Sequence, residues 1–227
     1  MHRKLAIALL TLGMLGCSQT PTPGTTSTSV AVVSATPAVA PPPAAASLPE
    51  GWSKVTSNDG KLKIALPAEW TVVDPNNKKF TDFMDELAKN NPSMPKIDGK
   101  GFYFMAMSTK PQKNFSDNVN VVKQPGVQTI PFTKESADAL KGELTKVLPL
   151  EGGLDIKVVE LPHGSAFRYE TGLKMKTPGG ETRTHAVGFM LFHGTDLYTF
   201  TFSTRPDNKD SFGDVADQAM QRFELTP

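Results

Sequence analysis

Alternation of apolar and polar positions along residues 51–227 predicts a domain rich in β-strands. Two strands stand on either side of Pro67, where a short turn is predicted. Later in the chain, "TPGG" at 177–180 and "HGTD" at 193–196 supply the glycine that hairpin turns favour. The predicted strands cover 62–66, 70–73, 102–108, 118–124, 155–161, 165–176, 181–192 and 197–204.

Three apolar stripes repeat at helical spacing and predict three amphipathic helices. Thr133 and Asp207 precede the second and third stripes and are predicted N-caps. The stripes are Phe80, Phe83, Met84 and Leu87; Ala137, Leu140, Leu144 and Val147; and Phe212, Val215, Ala216, Ala219 and Phe223. Hairpins outnumber long crossovers, so the pattern predicts an α+β fold with a mainly antiparallel sheet and helices on both faces.

Residues 1–16 have the three-part pattern of a secretory signal peptide, with a basic start, an apolar run and a small residue at the end. The apolar run from Leu5 to Leu15 would rise only ~16 Å as a helix, and a bilayer core is ~30 Å thick. We therefore expect cleavage rather than a permanent span.

The expected cleavage point lies just before Cys17, the only cysteine of the chain. Met14-Leu15-Gly16-Cys17 resembles the lipobox of bacterial lipoproteins, although Met14 stands where Leu, Val or Ile is usual. The resemblance implies a diacylglycerol thioether on Cys17 that anchors the exported protein to the cell membrane. In a cell with two membranes, Ser18 after the cysteine implies sorting to the outer one.

Residues 17–50 are predicted to be a tether between the lipid and the domain. No charged or aromatic residue occurs between Ser18 and Pro49, where Pro, Ser, Thr, Ala, Val and Gly predominate. Such a composition buries too little apolar surface to offset the entropy cost of ordering. The predicted organisation is therefore a signal peptide at 1–16, a lipidated disordered tether at 17–50 and one globular domain at 51–227.

Charge and residue types narrow the range of functions. The formal net charge is +1, too weak a field to attract nucleic acid. A single cysteine excludes an intramolecular disulfide, and His163, His185 and His193 lack the spacing with which one element presents two metal ligands. No GxSxG motif occurs, and the glycines lack the context of a phosphate-binding loop. We expect no metal, no cofactor and no catalytic residue.

The segment at 90–100, rich in Pro and Gly, is followed by a run of aromatic and methionine residues. Beneath this segment, Phe102, Phe104, Met105 and Met107 could line an apolar groove for a lipid or a partner peptide, because methionine adapts to irregular ligands. The alternative is that the same residues simply pack in the core.

The start "GKLKIALPAEWTVVD", the strand "NVNVV" and the final "FTFSTRPDNKDSF" resemble the PsbP/Mog-like superfamily, and the lipidated leader resembles its bacterial LpqN and DcrB branch. The resemblance implies a non-enzymatic binding, assembly or accessory role at the cell envelope. We expect a monomer with an unknown envelope protein or lipid as partner. A carrier that holds an apolar molecule near residues 90–107 is the alternative, and an envelope hydrolase is a third class.

Overall fold

The protein is described by a computed structural model that covers residues 47–74, 77–78, 81–82, 85, 89, 102–111, 115–177 and 180–226. The strands in this part of the chain are β1 (Trp52–Thr56), β2 (Leu62–Pro67), β3 (Trp70–Val72), β4 (Phe104–Ser108), β5 (Asn118–Gln124), β6 (Leu150–Leu161), β7 (Gly164–Thr177), β8 (Gly180–His193), β9 (Asp196–Thr204) and β10 (Glu224–Leu225). The α-helices whose bounds fall within the described residues are α1 (Lys134–Val147) and α2 (Lys209–Met220). Neither they nor any other described helix is long and apolar enough to cross a bilayer.

Two sheets organise these strands. Seven strands follow the order β3-β4-β5-β9-β8-β7-β6, and β1, β2 and β10 form a three-stranded sheet in the order β1-β2-β10. Every pairing between these strands is antiparallel. The α+β class with a mainly antiparallel sheet is thereby confirmed.

Each face of the seven-stranded sheet carries one apolar cluster and one helix. On the α2 face, Val187, Phe189 and Phe202 pack with α2 and with β2 of the small sheet. On the α1 face, Phe167 and Met190 pack with α1. The two faces alternate along each strand because successive side chains point to opposite sides. The prediction of helices on both faces is confirmed.

Helix α1 begins where the sequence predicts it. The Oγ1 atom of Thr133 accepts a hydrogen bond of 3.2 Å from the backbone N–H of Ser136, which satisfies one of the free donors of the first turn. Leu140 and Leu144 are almost fully buried against the sheet. The helical spacing of these residues is thus the spacing of one packed face.

Helix α2 begins two residues later than its predicted cap. Asp207 lies in a 3-10 turn at Pro206–Asn208 and accepts a hydrogen bond from Arg205, and it is not the N-cap residue of the helix. Asn208 holds the cap position and makes no side-chain capping bond. The reason is local, since Pro206 starts a tighter turn before the α-helix begins.

The strands on either side of Pro67 form as predicted but belong to different sheets. β2 pairs with β1 and β10, whereas β3 pairs with β4. The short β1 and β10 have no counterpart among the predicted strands. The predicted stripe at Phe80, Phe83, Met84 and Leu87 lies outside the described residues.

Candidate functional site

A buried arginine joins the seven-stranded sheet to α2. Arg168 on β7 is 8% exposed, and its Nε donates a hydrogen bond of 2.8 Å to Oδ1 of Asp217 on α2. Its Nη1 donates a second bond of 2.9 Å to Oε2 of Glu170, also on β7. The guanidinium lies over the ring of Phe189 at 5.9 Å. Two carboxylates therefore neutralise a cation that is almost shielded from water.

The same cluster includes His185 on β8, which lies on the α2 face beside the apolar residues of its strand. Its Nε2 stands 3.2 Å from Oε1 of Glu170, within ion-pair distance, but the contact does not have hydrogen-bond geometry. His185 shares strand parity with Val187 and Phe189, as the sequence pattern indicates. Glu170 is therefore the common neighbour of one cation and one imidazole.

Burial and charge set the protonation of this pair. Burial alone would raise the pKa of Glu170, but the hydrogen bond and charge of Arg168 outweigh it and hold the pKa below its usual range. Burial lowers the pKa of His185, and the negative charge of Glu170 offsets only part of that effect. At neutral pH the cluster therefore contains an ionised Glu170 and a neutral His185.

An open depression of about 720 Å³ lies next to this cluster. Its charged lining includes Glu151, Asp155, Glu170, Arg183 and Lys209, together with His185. The volume falls within the ~300–1,000 Å³ typical of ligand sites, but such sites are mostly apolar and this lining is not. A polar surface with both signs of charge suits a charged or hydrogen-bonding partner.

Two buried side-chain atoms in the lining residues have no hydrogen-bond partner within the described part of the chain. They are Oγ1 of Thr184 and Nε2 of His185. Thr184 and His185 are neighbours on β8, so their side chains point to opposite faces of the sheet. They cannot form a hydroxyl–imidazole pair of the kind that activates a nucleophile.

The described residues offer little to a metal ion. No group of three or more His, Cys, Asp or Glu side chains among them has the arrangement to hold one. His163 is engaged elsewhere, since its Nε2 donates a hydrogen bond of 2.8 Å to the backbone carbonyl of Phe223. What the cluster and the depression offer chemically is therefore recognition by charge and hydrogen bonding.

The structure separates the residues predicted to line an apolar groove. Phe104 is buried in the cluster on the α2 face, and Phe102 is also buried. Met105 and Met107 share strand parity with each other and point to the α1 face, because β4 alternates. The loop at 90–100 and Cys17 lie outside the described residues. The groove stays a prediction.

Arg168, Glu170 and Asp217 were missed by sequence reasoning. The signal for the first two was a pair of opposite charges on one face of a predicted strand, two residues apart in "FRYE". Asp217 is 49 residues from Arg168 in the chain. It is a polar residue of a predicted amphipathic helix, and this pattern does not indicate a partner for it. Only the packing of α2 on the sheet brings them together.

Comparison with solved structures gives fold similarities at low identity. Cyanobacterial PsbP from Synechocystis has 11% identity over 78% of this chain and 93% of its own, with a TM-score of 0.46. LpqN of Mycobacterium tuberculosis, described as involved in cell envelope biogenesis, has 14% identity over 78% of this chain and 91% of its own, with a TM-score of 0.43.

The Ran-binding protein Mog1p of Saccharomyces cerevisiae has 7% identity over 77% of this chain and 95% of its own, with a TM-score of 0.45. At such identities and TM-scores, the similarity carries no statement about a ligand or partner. No family model and no curated protein matches the chain.

Proposed function

We propose that this chain is an exported lipoprotein whose domain acts as a non-enzymatic binding or assembly module at the cell envelope. The observation that carries the proposal is Met14-Leu15-Gly16-Cys17, a lipobox-like sequence at the end of an apolar run. A diacylglycerol on Cys17 would hold the protein at a membrane, because each buried methylene contributes ~0.8 kcal/mol. The uncharged tether at 18–49 would allow the domain to extend away from the membrane surface.

The charged depression beside Glu170 and His185 is the surface that we assign to the partner. Lys141, Arg183 and Lys209 supply its cations, and its carboxylates include Asp155 and Glu170. Arg168 fixes the orientation of Glu170, so part of the surface is already ordered before a partner arrives. A preordered polar surface favours recognition because less side-chain entropy is lost on binding.

Metabolic labelling with radioactive palmitate tests the anchor. The parent chain is expected to incorporate label and to sediment with membranes, and Cys17→Ser is expected to lose the label. Ser18→Ala is the matched control, because it leaves the thiol in place. Equal labelling of the parent and Cys17→Ser would contradict the proposal.

Affinity capture from detergent-solubilised envelopes tests the surface. The double substitution Arg183→Glu and Lys209→Glu reverses two cations of the depression and should reduce recovery of any captured partner at least tenfold. Lys110→Glu reverses an exposed lysine that does not line the depression and should leave recovery unchanged. Equal recovery with the double variant would exclude the depression as the binding surface.

A further inference from the structure

Strand β6 is an outer strand of the seven-stranded sheet and one of its long strands. It runs from Leu150 to Leu161 and pairs on one side only, with β7. A long outer strand presents a row of free backbone donors and acceptors and can serve as a template for another strand. By contrast β3, at the opposite edge of the sheet, has three residues.

The register with β7 shows which backbone groups of β6 face outward. Leu161 and Gly164 flank a two-residue turn, so they form a hydrogen-bonded pair. Every second residue before Leu161 also directs its N–H and C=O groups toward β7. The residues between them, which include Ile156 and Val158, therefore direct these groups away from β7. No described residue forms a backbone hydrogen bond with these outward groups.

Two charged side chains of β6 lie beside like charges of β7. Asp155 stands opposite Glu170, and Lys157 stands opposite Arg168, on the α2 face. Both Asp155 and Lys157 are exposed, and neither has an ion-pair partner among the described residues. Like charges directly opposite each other destabilise a strand pair. Neither Asp155 nor Lys157 has an opposite charge directly across from it on β7.

We propose that β6 pairs with β6 of a second copy of this chain, antiparallel and about a twofold axis at Ile156. In this register Asp155 lies opposite Lys157 of the second copy, and the symmetry repeats the ion pair on the other side of the axis. Leu154 lies opposite Val158 of the second copy on the α1 face. The strand is therefore self-complementary in charge and in apolar side chains, as an isologous contact requires.

The pairing also changes the charged depression. Asp155 lines the depression, so Lys157 of the second copy would stand at its rim. Each depression would thus gain a cation from the other chain, and the two depressions would lie on the same side of one continuous sheet. The proposed dimer differs from the monomer that the sequence led us to expect.

A contact between two strand edges is small, and small interfaces associate weakly. The dimer should therefore depend on protein concentration. Sedimentation velocity of the intact chain in detergent, over a hundredfold range of concentration, should show a monomer–dimer equilibrium. A monomer throughout that range would overturn the proposal.

Charge exchange tests the register. Asp155→Lys alone and Lys157→Asp alone place like charges opposite each other, so each should weaken association at least tenfold. The double variant Asp155→Lys with Lys157→Asp restores opposite charges and should return association to within threefold of the parent. All variants share the same detergent, which keeps any association through the micelle constant. Dimers that persist in both single variants, or a double variant as weak as the singles, would overturn the proposal.

A cysteine at the axis provides an independent test. Residues 156 of the two copies would form a hydrogen-bonded pair with Cα atoms ~5.5 Å apart, within the range that a disulfide spans. Oxidised Ile156→Cys should run as a dimer on a non-reducing gel. Lys157→Cys is the matched control, because the two residues 157 would lie roughly 8 Å apart, beyond that range. Equal dimer bands in Ile156→Cys, Lys157→Cys and the parent would overturn the proposed register.

Discussion

The two faces of the seven-stranded sheet hold their helices by different chemistry. On the α1 face, Leu140 and Leu144 pack on Phe167 and Met190, and the contact is apolar. On the α2 face, apolar packing is joined by Arg168, which reaches from β7 to Asp217 of the helix. The difference indicates that α1 is held mainly by burial, whereas α2 also depends on charge.

Truncation of Leu144 should give the largest loss. The side chain is fully buried, so Leu144→Ala removes apolar contacts and leaves a cavity under α1. We expect the free energy of unfolding to fall by about 2–5 kcal/mol, measured by urea denaturation. Lys141→Ala on the exposed side of the same helix should change it by less than about 0.5 kcal/mol. A loss below about 1 kcal/mol for Leu144→Ala would show that apolar burial does not hold α1.

Gly188→Ala should destabilise the sheet beneath α1 by overpacking. A Cβ at residue 188 would lie 1.8 Å from Cζ of Tyr169, whose ring crosses β8 to reach Thr201. We expect a loss of about 1–3 kcal/mol or more in chemical denaturation, because the ring must move and release its hydrogen bond of 2.7 Å to Thr201. Gly153→Ala is the control, since nothing lies within 4 Å of a Cβ there. Equal stability of both variants would contradict the close approach.

Replacement of Arg168 tests the charged attachment of α2. Arg168→Ala leaves Glu170 and Asp217 without their shared cation, but their side chains are 38% and 47% exposed and can be hydrated. We therefore expect a moderate loss of about 1–3 kcal/mol, with a smaller loss for Arg168→Met, which keeps the apolar stem over Phe189. Thermal unfolding of both variants provides the measurement. Two variants as stable as the parent would show that charge contributes nothing to the attachment.

The helix caps give a smaller contrast. Thr133→Ala removes the hydrogen bond to Ser136 and should cost about 0.5–2 kcal/mol. Asn208→Ala should cost less, because Asn208 makes no side-chain capping bond. Chemical denaturation of the two variants side by side measures the difference. A larger loss at Asn208 would reverse the assignment of the caps.

The smallest effect is the pH dependence that the cluster on the α2 face contributes. The lowered pKa values of His185 and Glu170 mean that the unfolded chain binds more protons than the folded chain on acidification. Their contribution to stability should therefore fall as the pH drops below about 6.5 for His185 and below about 4.5 for Glu170. On the α1 face, burial raises the pKa of Tyr169 to about 12, outside this window.

The urea midpoint at pH 7.5, 6.0 and 5.0 measures this dependence. His185→Gln should reduce the change in urea midpoint between pH 7.5 and 5.0. Leu144→Ala should lower the urea midpoint by a similar amount at every pH. An unchanged slope in His185→Gln would show that His185 does not contribute to the pH dependence.

The hydrophobic pattern predicted most of the local structure of the domain. The strands β5, β7, β8 and β9 and helix α1 lie where alternation and helical spacing place them, and Thr133 caps α1 as expected. These features depend on residues that are close in sequence, so the spacing of apolar residues is enough to predict them. The cap of α2 was placed wrongly because Pro206 begins a 3-10 turn that the apolar stripe does not reveal.

The amino-acid pattern is sufficient to predict the α+β class and the alternation that gives the sheet two apolar faces. It also supplied the lipobox-like Met14-Leu15-Gly16-Cys17, on which the predicted anchor depends. The folded structure was needed to show that β2 and β3 belong to different sheets, that Arg168 contacts Asp217, and that β6 is an outer strand. Periodicity reports which side of an element is buried, but it carries no information on which distant element covers that side. The residues that form the candidate surface are therefore set by packing between elements far apart in the chain.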